Sequence, residues 1–95
     1  MPVKEAYLDH TLSEVEELTA AVQQLKTLFA NQTNAAKLQH GKQLEYVRAR
    51  FAEYKKFVEE LEEAPEEKAA AIYDSSELIW KDLKGAIDNL LVELA

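Results

Sequence analysis

Apolar residues recur along this chain at alternating spacings of three and four in three separate stretches, each the mark of a stripe down one face of a helix. The first stretch holds Leu8, Val15, Leu18, Val22, Leu25 and Phe29; the second, Leu44, Val47, Phe51, Tyr54, Val58 and Leu61; the third, Tyr73, Trp80, Leu83, Ile87, Leu90 and Leu94. These are heptad a and d positions. The adjoining g positions are often apolar too, at Ala21 and Leu28, at Phe57, and at Ile72, Ile79 and Ala86. A stripe widened in this way exceeds the seam of a two-stranded coil, so each helix needs more than one neighbour.

Two joints separate the stretches. "ANQTNAA" (30–36) gathers polar, mediocre helix formers; Asn34 is suited to cap a second helix, and Asn31 tolerates the left-handed conformation that ends a first. "EEAPEEK" (62–68) places Pro65 ahead of Glu66 and Glu67, a favourable first helical turn given the fixed φ of proline and the helix dipole. The heptad phase slips by one residue at each joint, from Phe29 to Leu44 and from Val58 to Tyr73. A turn produces such a slip, and so does a skip inside one bent helix.

The pattern predicts an all-α fold: an antiparallel, up-down-up three-helix bundle or coiled coil in a single domain over 1–95, with helices near 3–30, 35–63 and 65–94. Helices of this length are roughly 42 Å long, which makes a slender rod. The alternative is one long bent helix over 4–63 with a C-terminal helix, completed by dimerisation.

Composition agrees with the class, since two glycines and two prolines leave a chain made almost wholly of helix formers. Charge adds a topological bias. Residues 1–33 and 64–95 are net acidic, whereas 34–63 balances six bases (Lys37, Lys42, Arg48, Arg50, Lys55 and Lys56) against six acids. An up-down-up arrangement sets those bases between two acidic neighbours, although exposed pairs are worth only about 0 to 1 kcal/mol each.

The formal charge of −7 repels nucleic-acid phosphates and anionic headgroups, so no nucleic-acid partner is expected. The apolar runs are far shorter than the roughly 20 residues of a membrane span. No cysteine is present, which removes disulfides and thiolate chemistry and fits a reducing compartment. The opening "MPVKEAYLDH" carries no basic-then-apolar leader, and a cytoplasmic protein is expected.

Candidate chemistry is sparse. His10 and Glu14 lie four apart on one face, but two ligands do not make a metal site. Carboxylate-bridged two-metal bundles need a Glu three residues before each His, and here those positions hold Tyr7 and Lys37. His40 projects back to a core position and reads as a partly buried histidine at the end of the bundle. Ser13, Ser75 and Ser76 have no nucleophile context, and the isolated Gly41 and Gly85 form no phosphate loop. The acidic run from Glu59 to Glu67 lacks the alternating ligands and central glycine of a calcium loop. No catalytic, cofactor-binding or metal-ligating residue is expected, and neither a cofactor nor a small-molecule substrate is evident.

That leaves "IWKDLKGAIDNLLVEL" (79–94), where Trp80, Leu83, Ile87, Leu90 and Leu94 form the densest stripe. Its polar face is not the Lys/Arg-rich one of a membrane-surface helix. The stripe is expected to be core or an interaction surface.

"EAYLDHTLSEVEEL", "KQLEYVRARFAEYKKFVEELEEA" and "IWKDLKGAIDNLL" resemble the small bacterial coiled-coil proteins of uncharacterised function, with their EAY-type opening, KQLEELRAK-like centre and W-x-DLK-like C-terminal helix. The resemblance spans nearly the whole chain and implies architecture, with no catalytic residues. Such relatives are rich in Ala, Glu and Lys where this chain has Asn31, Thr33, Asn34 and Gly41; a continuous first helix is implied there. The function expected is that of a non-enzymatic structural or protein–protein interaction bundle, with a homodimer or a helical protein as partner. The alternative is a peripheral lipid- or client-binding, chaperone-like stress protein.

Overall fold

The computed structural model describes residues 3–95. Twenty-eight residues without glycine or proline form α1 (Val3–Ala30), followed by α2 (Asn34–Glu63) and α3 (Glu66–Leu94). All three pack against one another as an up-down-up bundle, as the stripes predict.

The first joint is a true break, so the long bent helix over 4–63 does not form. The last turn of α1 tightens through Asn31 N–H to Leu28 O (3.2 Å) and Gln32 N–H to Phe29 O (3.0 Å). Thr33, not Asn34, is the N-cap of α2: its backbone is extended, and its hydroxyl accepts from Ala36 N–H at 3.2 Å. Asn31 is not left-handed, because no non-glycine residue among those described has a positive φ. The hydroxyl of Thr33 thus does the capping expected of Asn34.

At the second joint Pro65 stands one position earlier than expected, as the extended N-cap of α3, with Glu66 and Glu67 in the first turn facing the positive end of the helix dipole. Lys4 closes this end of the bundle. Its Nζ donates to Glu62 O and Ala64 O, both at 2.6 Å, placing a cation on the carbonyls that end α2, while its backbone N–H donates to Glu66 Oε1 at 3.0 Å. At the opposite end Gln32 Nε2 bridges Leu28 O and Leu94 O.

The core is drawn mostly from the predicted a/d set, with the g-position Ile79 added and the a/d residues Val15, Phe29 and Trp80 only partly buried against it. Leu18, Val22 and Leu25 of α1 meet Leu44, Val47, Phe51, Tyr54 and Val58 of α2 and Ile79, Leu83, Ile87, Leu90 and Leu94 of α3. The extents of 52 × 18 × 17 Å make a rod, and the radius of gyration of 15.3 Å exceeds the about 12 Å of a round domain this size. Among the described residues, Arg50 is the one of the six bases on α2 that forms an ion pair with a neighbouring helix, through Nε to Asp82 at 2.9 Å. Burial of the stripes outweighs cross-helix charge in holding the topology. No helix among the described residues is long and apolar enough to cross a membrane.

Candidate functional site

The apolar stripe is interrupted toward the Lys4 end of the bundle. Thr11 of α1 and Ser76 of α3 occupy inward positions, fully buried, each hydroxyl donating to the carbonyl three residues earlier: Thr11 Oγ1 to Leu8 O at 3.0 Å, Ser76 Oγ to Tyr73 O at 2.7 Å. Self-satisfied in this way, they spend no donor on their surroundings. The polar cluster beside them is built by other residues.

Glu14 is the centre of that cluster. It is only 4% exposed, and its Oε1 accepts from the Tyr54 hydroxyl of α2 at 2.8 Å. Its Oε2 lies 3.5 Å from His10 Nε2, one turn earlier on α1. From α3, Glu77 brings Oε1 to 3.1 Å from the same His10 Nε2 and accepts a short hydrogen bond from the Tyr73 hydroxyl. Tyr73 is itself fixed by stacking on Tyr7, with ring centroids 4.2 Å apart. His10 is half exposed, so the group opens to solvent through a cleft lined by His10, Ser13, Glu14, Glu17, Glu77, Trp80 and Lys81.

Burial sets the electrostatics. Desolvation pushes the Glu14 carboxyl up to about 7; the Tyr54 hydrogen bond and His10 pull the other way, while Glu77 adds to the rise through its charge and a hydrogen bond. Burial, then the bond to Glu14, drives the Tyr54 phenol well above its ordinary range. Tyr73 is shifted upward by burial and by Glu77. Near pH 7 the two phenols are therefore hydrogen-bond donors, and two carboxyls with an imidazole converge between them, able to share a proton or to hold a cation.

Sequence reasoning placed His10 and Glu14 together but not Glu77, Tyr54 or Tyr73 beside them, because those come from other helices. One signal was present: Glu14 occupies the g row of α1, seven residues before the apolar Ala21. His40 lies where projected, near the other end of the bundle, with Nδ1 within 3.0 Å of Gln43 Oε1 and 3.2 Å of Glu93.

The residues of the 79–94 stripe are core. Leu83, Ile87, Leu90 and Leu94 are buried, and Trp80 is half-buried against them, its Nε1 fully buried without an acceptor. The exposed apolar residues of α3 lie on its opposite face, where Leu78 and Val92 are 70% and 78% exposed on either side of Gly85. Compared with known proteins, the chain matches no family, no curated protein and no solved structure.

Proposed function

We propose that this protein is a non-enzymatic helical interaction module whose partner is a second copy of itself, met through the outer face of α3. The observation that carries this reading is the row Leu78, Gly85 and Val92. Seven residues apart, the three drift by only about 40° around the helix and so share one face. A glycine in the middle of an exposed helix costs about 1 kcal/mol relative to alanine. Nothing inside the bundle requires it, since a Cβ at Gly85 meets no atom within 4 Å and its φ is not positive. A glycine between two exposed aliphatic side chains suits close approach of another helix.

Charge selects the occupant. Lys81 and Asp88 flank this row on one side, and among the described residues neither has an ion-pair partner. On the other side Asp82 is already held by Arg50 and Tyr46, beside the neutral Asn89. Two copies of α3 crossing antiparallel at Gly85 bring Leu78 against Val92 of the second copy and each Lys81 to the opposing Asp88. An interface of one helix face belongs to the weak class, below about 1,200 Å².

Light scattering coupled to size exclusion over a hundredfold concentration range is the test. The expected result is mass rising from 10.8 kDa toward twice that value, abolished by Leu78→Lys and by Lys81→Asp, and restored in the double reversal Lys81→Asp with Asp88→Lys. A monomer at about 1 mM, or a dimer indifferent to these substitutions, overturns the reading.

A further inference from the structure

The geometry points to a binding site for a zinc-type divalent cation at the seam of α1 and α3, with His10, Glu14 and Glu77 as its three protein ligands. It goes beyond the self-association reading and does not depend on it.

The three candidate ligand atoms lie within 4.8 Å of one another, with His10 Nε2 at 3.5 Å from Glu14 Oε2 and 3.1 Å from Glu77 Oε1. Ligands at about 2.0–2.2 Å from a tetrahedral ion are roughly 3.3–3.6 Å apart, so His10 and Glu14 already stand at that spacing and Glu77 needs a small shift from His10. One imidazole and two carboxylates suit first-row divalent ions better than magnesium, whose ligands are all oxygen.

Support for the ligands is already in place. Tyr54 bonds one oxygen of Glu14 and leaves the other toward His10, and Tyr73 bonds Glu77. Phenols held as donors to ligating carboxylates orient them as an outer shell does. Neither a lysine nor an arginine forms an ion pair with these carboxylates among the described residues, although Lys81 lines the rim. A dication compensates two converging carboxylates, one of them buried, and the cleft gives it a path from solvent.

Trp80 lines the same cleft as the three ligands. Its indole Nε1, in the residue that lines this cleft, is fully buried with no acceptor, and a buried orphan donor calls for an explanation. Three protein ligands leave a fourth position open to water or hydroxide, in the cleft that Trp80 helps to line.

Trp80 is the sole tryptophan, so it reports on the site directly. Metal-free protein titrated with Co²⁺ should bind one ion per chain, develop visible absorption of the tetrahedral type and lose Trp80 fluorescence. Zn²⁺ should displace the Co²⁺ and raise the melting temperature. His10→Ala and Glu77→Gln, at positions that are not part of the apolar core, should each weaken binding at least about tenfold with helicity unchanged, and Tyr73→Phe by about tenfold. Binding should also weaken from pH 7.5 to 5.5, because protons compete with the ion for its ligands. Leu78→Lys should bind as the parent does, which separates this site from the α3 face. No saturable binding up to about 1 mM Zn²⁺, or binding that survives both His10→Ala and Glu77→Gln, overturns the proposal.

Discussion

The Tyr54 hydroxyl of α2 reaches across the bundle to donate to Glu14 Oε1 of α1 at 2.8 Å, joining a buried phenol to a buried carboxyl. This bond ties two helices through polar groups inside an otherwise apolar rod, and burial of the Glu14 carboxyl it meets makes the bundle respond to pH.

Glu14 in the folded, metal-free protein is raised from 4.5 to about 7. The folded state therefore holds a proton that the unfolded chain releases, and the contribution has a definite sign: it is fully present below pH 4.5 and is lost as pH rises through 7. The melting temperature should fall across that window and level off above it. Glu14→Gln should flatten this slope and leave the protein more stable than the parent at pH 8. A parent whose stability is level from pH 4.5 to 8 would contradict this.

Tyr54→Phe keeps the ring and removes the donor, leaving Glu14 with a buried oxygen unpaired. The expected loss at pH 7 is about 1 to 3 kcal/mol. In the Glu14→Gln background the same substitution should cost less, because the carboxylate it supports is gone. A double-mutant cycle by urea unfolding measures the difference, and additivity would show that the two side chains do not interact.

Leu83→Ala tests the stripe where all three helices meet. Leu83 is fully buried, and the truncation should cost about 2 to 5 kcal/mol. Val92→Ala, on the exposed face of the same helix, should change unfolding by less than about 0.5 kcal/mol. Comparable losses at both positions would mean that α3 faces the core differently.

Gly85→Ala separates folding from association. With φ not positive and no atom within 4 Å of the added Cβ, alanine should stabilise the monomer by up to about 1 kcal/mol. The same methyl should hold a second α3 farther away and weaken self-association. Sedimentation equilibrium beside thermal unfolding reads both, and a rise in both quantities would contradict the role given to Gly85.

The three helices, their approximate limits and the a/d core were legible in the amino-acid sequence because a 3.6-residue period is a local property: Leu18, Phe51 and Leu83 declare their inward faces whatever lies opposite. The break at Pro65 was legible for a similar reason, since proline acts on its own backbone, whereas the run Asn31 to Asn34 left both a turn and one bent helix over 4–63 open until α1 was seen to end at Ala30. Which residue caps α2 was not, because Thr33 and Asn34 are both competent and the turn geometry chose the threonine.

The candidate site belongs to the tertiary structure. His10 and Glu14 are four apart in one helix, but Glu77 lies sixty-three residues beyond Glu14, and Tyr54 comes from the antiparallel helix α2. Only the axial register of α1 against α3, held by Tyr7 on Tyr73 and by Lys84 Nζ to Glu17 at 2.9 Å, brings the two carboxyls together. Periodicity determines which face of each helix turns inward; it does not determine how far one helix slides along the next, and that slide decides which polar side chains share a layer.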